Sequence, residues 1–555
     1  MQPPRHAMSA LIIALSYAAI LFFPIADATV LAAAAAQGKK PVHHSEEGDD
    51  GSDEVPADLA RPHKTLSEMR QSYRVHAQSG APLKAAAPWL PDLSRYIPAV
   101  VEAKIDRAKP GGVVIGPLLG ESGFKSLTTA IGQGLREFAQ RQRGAMRAII
   151  VQDGFVELSQ LKQRLPKDAF EETAPGIYIA RLPILVRHGA TLQVGPRIKE
   201  LRLSQDRGAL LANEGKLFVI KSGIVGWNEQ GNAPARFRDK HEFRPFIVGW
   251  GGSETYISQS RVAHLGYATT KSFGLSFSQY STAAMERLAW PRPKGWIINS
   301  TIEDLWYGFY CWEADDIVLR GNTFRNNIKY GIDPHDRSNR LIIAGNDVSG
   351  TRIKHGIIIS REVNDSWILN NRSHENRLSG IVLDRQCRNT VIAHNIAYRN
   401  RADGIVISES PRNVVWSNLS TGNRHHGIRL RNSTDVRIEN NSAVANGLTG
   451  IYAVSQDLSG TGRDLHEDPY VKDLSMVVLG GQLSANGSGP IHVDDVSRVT
   501  LFDVDLRTPQ RELGFRLGGV LLAFQTDALD ILLNQKQALV LEPRKASDTT
   551  TARRQ

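Results

Sequence analysis

The chain has 555 residues, 41% of them hydrophobic but only 7% aromatic, with 48 glycines, two cysteines and a formal net charge of +10. That apolar content suits a large core and more than one region, and it excludes a wholly disordered chain. Two cysteines cannot staple a disulfide scaffold. A basic balance without a helix-turn-helix or an aromatic–basic RNA motif argues against nucleic acid as the partner.

In chain order, the apolar run Met8–Phe23 follows Arg5-His6 and precedes the small-residue site Ala26-Asp27-Ala28. This pattern predicts a secretory signal over residues 1–28, with cleavage as late as Ala36 as the alternative. A permanent anchor is less favoured, because serine and proline interrupt a run already short for a membrane span. Residues 29–60, with an acidic cluster from Glu46 to Glu54, read as a disordered linker. Residues 61–145 mix helical-looking stretches (Ala99–Arg107, Leu127–Arg141) with Gly and Pro, which predicts an α-rich N-terminal region. From Ala148 the pattern turns to β, at 148–151, 191–194 and 217–220, and a β-rich body is expected over 146–505. Gly274-Leu275 belongs to that body one rung before the regular repeats, with an insertion around Ala289–Gly295. Residues 506–545 are expected to cap the open end, and 546–555 to form a disordered tail.

The middle of the chain is periodic. Gly308, Gly331, Gly356, Gly380, Gly404, Gly427 and Gly450 each precede a large apolar residue, at steps of 23, 25, 24, 24, 23 and 23. Asn299, Asn322, Asn346, Asn371, Asn395, Asn418 and Asn441 keep the same beat nine or ten residues ahead. Counted from each glycine, odd offsets are mostly apolar and even offsets vary, which is the alternation of a strand. A second β run precedes each asparagine, for example Ile317–Leu319 and Trp367–Leu369. Several short β runs per 23–25-residue turn describe a right-handed parallel β-helix, an all-β solenoid, in which asparagines stack as an amide ladder. A leucine-rich repeat shares the period but needs Leu-x-x-Leu-x-Leu and a helical segment, and neither is present. Cys311 and Cys387 are expected as free, buried thiols.

Even offsets face outward and stack in columns about 4.8 Å per rung. Offset four gives His335, Ser360, Asp384, Ser408 and Arg431; offset two gives Asp333 and Arg429. The residue before the glycine gives Tyr330, His355, Asp403 and His426, and offset five gives Asp336, Arg361, Arg385, Glu409 and Asn432. With Lys329 and Lys354, these columns make a cationic face suited to an extended anionic chain such as an acidic polysaccharide. One rung departs from the repeat, reading Gly331-Ile332-Asp333-Pro334-His335-Asp336-Arg337. There a carboxylate beside an imidazole can set its tautomer and basicity, and Arg361 lies one turn up. The candidate site is therefore His335 and Arg361 as catalytic groups, with Tyr330, Asp333, Asp336, Lys354, His355, Asp384, Arg385, His426 and Arg429 as substrate contacts. Asp333, Asp336 and Asp384 could ligate calcium, but Lys354, Arg361 and Arg385 crowd the same columns and a calcium-binding nonapeptide repeat is lacking.

Four segments carry a resemblance: Tyr330–Arg337, Lys354–Asp365, Leu378–Arg385 and Arg424–Arg429. Together they resemble the periplasmic mannuronan C5-epimerases of alginate-producing bacteria. The resemblance implies a right-handed parallel β-helix in the periplasm that converts β-D-mannuronate to α-L-guluronate within polymannuronate, without metal or organic cofactor. It implies His335 as general base and Arg361 as the neutraliser of the substrate carboxylate. It also implies a second role in protecting polymer during export, with export-complex proteins as partners. The chemistry needs a proton taken from C5 beside a carboxylate, so a cation at that carboxylate stabilises the dianionic intermediate. Reprotonation from the opposite face falls to water or to Tyr330. A polyuronate lyase, which expels the O4-linked sugar from the same intermediate, and a non-catalytic polysaccharide-binding scaffold are the alternatives. A hydrolase would need two suitably spaced carboxylates, and no such pair stands out.

Overall fold

Each turn of the repeat is made of three short strands, in which β-branched residues alternate with polar ones and each run gives way to a residue in left-handed backbone, such as Asn370, Glu375 and Arg385. One turn runs Trp367–Leu369, Arg372–His374 and Ile381–Asp384, and the next repeats it in register at Val391–Ala393, Ile396–Tyr398 and Ile405–Ser408. The computed structural model describes residues 72–79, 83–118, 135–269, 271–280, 289–466, 468–506 and 515–544. Among them the strands form three long sheets of 15, 15 and 13 strands, parallel except near the ends, and their coil is a parallel β-helix. The first sheet carries the repeat glycines; the second and third sheets carry the other two strands of each turn. The expected signal, linker and tail lie outside the described residues.

One apolar core fills the coil from Ile149 to Leu541. Inward positions such as Ile332, Ile357, Ile381, Ile405 and Ile428 are fully buried one above another. Truncating such a residue to alanine would cost ~2–5 kcal/mol. The asparagine ladder joins the turns: the side-chain amide of Asn322 donates to Asn346 (3.0 Å), Asn346 to Asn371 (2.9 Å), Asn371 to Asn395 (3.0 Å), Asn395 to Asn418 (2.9 Å) and Asn418 to Asn441 (3.0 Å). The series does not begin at Asn299. That residue occupies the left-handed corner (φ 50°), a conformation asparagine tolerates, and the backbone N–H of Ser300 takes the ladder position by donating to Asn322. A second ladder, unnoticed in the sequence, links Asn376, Asn400, Asn423, Asn446 and Asn486 at 2.9–3.0 Å. It lies against the repeat glycines: a Cβ at Gly404 would run into the Ser420 hydroxyl, and one at Gly331 into the Gly356 carbonyl.

In the N-terminal region the described residues up to 145 include the helices Pro98–Ala103 and Leu135–Arg141, each overlapping a stretch expected to be helical, beside the strands Tyr73–Ala77 and Val113–Pro117; residues 127–134 of the second stretch lie outside the described residues. Much of the segment is an extended strap along the second sheet. Ala86 N–H donates to Glu439 (3.0 Å), Trp89 meets Trp367 edge-on (5.3 Å), Arg320 holds the carbonyls of Leu93 and Tyr96, and Tyr96 packs on Trp296 (4.8 Å). The outer aromatic face of that sheet holds the strap in place. At the far end, Leu539–Pro543 pairs antiparallel with Arg498–Phe502 and with Tyr73–Ala77, so both chain ends close the last edge.

Candidate active site

The divergent rung is the strand Tyr330–His335. Its neighbours are Tyr307–Trp312 below and Ile357–Ser360 above, in the register Trp312–His335–Ser360–Asp384. Pro334 has no N–H, and the ladder to the next strand is kept only at Ile332–Ile357 and His335–Ser360. Two consecutive left-handed residues, Asp336 (φ 30°) and Arg337 (φ 54°), then turn the chain out of the strand. The turn folds the Asp336 carboxylate back onto its neighbour, with 2.7 Å between His335 Nδ1 and Asp336 Oδ2.

That contact sets the imidazole. A carboxylate can only accept, so Nδ1 carries the proton and a neutral His335 presents its Nε2 lone pair. The side chain keeps 25% of its surface, enough for a substrate to reach it. Burial pulls the His335 pKa down, but the Asp336 hydrogen bond and the charges of Asp333 and Asp336 outweigh it, against opposition from Arg361, and the net shift is upward. Burial raises the pKa of Asp336, yet His335, Arg361 and Arg337 hold it below the ordinary carboxylate range.

Arg361 leaves its strand by the same two-residue left-handed turn (φ 59°, then Glu362 at 62°), one rung up, and its carbonyl accepts the Arg337 N–H at 2.9 Å. Among the described residues its side chain makes no hydrogen bond or ion pair, so the guanidinium is available to a ligand. The arginines beside it are engaged: Arg337 by Glu313 (2.9 and 2.6 Å), and Arg385, the next in its column, by Asp384 (3.3 Å) and Asp468 (3.1 Å).

The remaining predicted residues divide by distance along the axis. Tyr330 and Asp333 share the rung of His335 and are nearly buried, at 4% and 3% exposed. They form the groove floor with Tyr307 and Phe273. Tyr330 lies parallel to His355 (6.2 Å), whose Nδ1 accepts the Ser379 N–H at 3.1 Å. Lys354 is half-buried beside it. His426 and Arg429 stand three rungs above His355 and four above Asp333 in their columns, roughly 15–20 Å from the divergent rung. They belong to a separate cluster: Arg429 pairs with Asp403 (3.0 Å), and His426 stacks on Tyr452 (4.5 Å). Burial pulls the His426 pKa down to about 4 despite Asp403, so this imidazole is neutral. The three aspartates weighed as calcium ligands do not gather, and among the described residues no group of three or more His, Cys, Asp or Glu is placed to hold a metal ion.

Sequence reasoning missed residues from outside the regular repeat. Lys271, in a left-handed turn, lies 4.0 Å over the Trp312 ring and 3.5 Å from the Tyr310 hydroxyl. Tyr310 is in register with Asp333, and its ring lies 6.0 Å from that of His335. Tyr310 was visible at offset two after Gly308; Lys271 had no periodic signal. Arg463, in the long excursion between Val454 and Ser475, holds Glu409 (2.6 Å) and Asp468 (2.8 Å) over the far end of the groove.

Residues 307–460 match the family described as right handed beta helix region. The chain is 50% identical over 489 residues to the mannuronan C5-epimerase AlgG of Azotobacter vinelandii, covering 88% of this chain and 93% of the relative. It is 51% identical over 473 residues to the mannuronan C5-epimerase of Pseudomonas aeruginosa, covering 85% and 87%. A crystal structure of the periplasmic alginate epimerase AlgG superposes with a TM-score of 0.74 at 46% identity, covering 76% of this chain and 99% of that one. With about half of all aligned residues in common over most of its length, the chain belongs to the mannuronan C5-epimerase family.

Proposed function

We propose that His335 and Arg361 carry out C5-epimerisation of β-D-mannuronate to α-L-guluronate within polymannuronate. The chain is an epimerase of alginate biosynthesis and works in the periplasm. The single observation supporting the assignment of roles is the pairing of His335 Nδ1 with Asp336 at 2.7 Å, one rung below a guanidinium without a protein partner among the described residues.

The steps balance without a redox partner. The C5–H bond breaks, its proton goes to His335 Nε2, and the electron pair delocalises into the carboxylate as an enediolate dianion. Arg361 faces that carboxylate, and its planar fork stabilises charge as it develops. A solvent proton then forms a new C5–H bond on the opposite face, and His335 returns its proton to solvent. The glycosidic bond stays intact. Tyr330, nearly buried and parallel to His355, is poorly placed to move as a donor, which favours water.

The test is incubation of the purified protein with polymannuronate in D₂O. Deuterium at C5 of new guluronate residues, without ultraviolet absorbance from unsaturated ends, is the expected result. Unsaturated ends without guluronate would replace this reading with a lyase.

A further inference from the structure

A second set of cations stands outside the groove. One residue past the corner where the third sheet ends, successive turns place Arg352, Arg377, Arg401 and Arg424, all exposed. The backbone stacks them: Arg377 N–H donates to the Thr351 carbonyl (2.9 Å), Arg401 to Asn376 (3.0 Å) and Arg424 to Asn400 (3.0 Å). The buried amide ladder immediately before each arginine fixes this alignment. Arg352 is paired with Asp304 at 2.8 Å. Among the described residues, Arg377, Arg401 and Arg424 make no side-chain hydrogen bond or ion pair. The carboxylates nearest in sequence are engaged elsewhere, Glu375 by Arg399 (3.9 Å) and His374 (3.8 Å) and Asp403 by Arg429 (3.0 Å).

Three like charges held at the rung spacing of roughly 4.8 Å repel one another, so the fold gains nothing from the arrangement. A polyanion lying along the helix axis would turn that repulsion into attraction. An extended polyuronate carries one carboxylate per sugar, a charge spacing of the same order as the rung, and guanidinium groups suit carboxylates by their planar fork. Arg377, Arg401 and Arg424 lie two residues before Ser379, Asp403 and His426 of the column that edges the groove, and so on the far side of that edge from His335.

We propose that Arg377, Arg401 and Arg424 form a second binding track for an anionic polysaccharide, parallel to the catalytic groove and separate from it. The choice of a polyuronate as ligand rests on the function proposed above; the alignment of the arginines does not. The track would hold a second length of polymer beside the one being epimerised, raising its local concentration at the groove.

The test compares the full-length protein with its Arg377→Gln/Arg401→Gln/Arg424→Gln variant, in which the side-chain stems are kept. Oligomannuronates long enough to cover three or four rungs are titrated calorimetrically at low salt. The parent is expected to show two classes of site and the variant one, with kcat and KM on short oligomers unchanged. Affinity for long polymer should fall about tenfold and depend less on salt. Equal stoichiometry and affinity in the two proteins would overturn the track. So would a loss of short-oligomer turnover, which would place the arginines in the groove, or binding of anionic phospholipid vesicles in place of polymannuronate. Failure of the catalytic reading would appear separately, as absence of C5 deuterium with both classes of site still present.

Discussion

Asp336 accepts the Nδ1 proton of His335, the residue immediately before it, at 2.7 Å, and two left-handed residues in succession make that contact possible. In a straight strand adjacent side chains point to opposite faces and cannot meet. The corner of the β-helix thus builds the base, and five predictions rest on it and on the ladders that hold it.

His335→Gln should leave the inward apolar core untouched and thermal stability nearly unchanged, because the side chain lies on the outer face. Epimerisation should drop to background, since glutamine has no basic nitrogen for the C5 proton. Polymer binding should survive and weaken with salt. A folded Gln variant that exchanges C5 hydrogen at the parental rate would remove His335 as the base.

Asp336→Asn should keep the left-handed turn, which asparagine tolerates, but lose the charge that supports the imidazole. Because Asp336 helps raise the His335 pKa, the acid limb of the pH–rate profile should move to lower pH in the variant. Its plateau should fall by roughly tenfold to a hundredfold as the base is less well oriented. An unmoved acid limb would show that Asp336 does not set the titration.

Activity and stability should respond to pH in opposite senses. In the parent enzyme the rate rises as His335 loses its proton, with a midpoint above the ordinary histidine value of 6.5. The folded-state pKa is raised, so its stabilising contribution is complete below the unfolded value and is lost as pH rises through the folded one. Melting curves alongside the pH–rate profile would show the two trends crossing, and His335→Gln should abolish this component of the melting curve.

Arg361→Ala should fold normally and lose about 10²–10³ in rate, the usual cost of removing one donor to a developing oxyanion. Arg361→Lys should recover little, because an ammonium cannot make the two-pronged contact. Near-normal turnover of the Lys variant would dispose of the bidentate contact.

Asn371→Ala should act on the fold alone. Asn371 is fully buried, donates to Asn395 (3.0 Å) and to the Ile343 carbonyl (2.8 Å), and accepts from Asn346. Its loss strands several buried partners, at about 3–5 kcal/mol in total. Denaturant unfolding should show that loss while turnover per folded molecule stays at the parental level.

The repeat was legible because a solenoid makes local pattern and tertiary contact nearly the same thing. Each residue stacks on its equivalent one turn away, so the glycine beat alone assigns Ile332, Ile357 and Ile381 to the core and His335, Ser360 and Asp384 to one outer column. The divergent rung stood out for the same reason. Where the period slackens, stacking no longer constrains the chain and only tertiary contact decides. The strap before the helix Pro98–Ala103 lies where it does because Trp296 and Trp367 offer it an aromatic surface. Lys271 and Arg463 reach the groove from irregular excursions whose length carries no period. The charge state of His335 is likewise tertiary: sequence placed a carboxylate beside an imidazole, but the left-handed corner decides that the two meet, and burial with Asp333 and Arg361 decides how far the pKa moves.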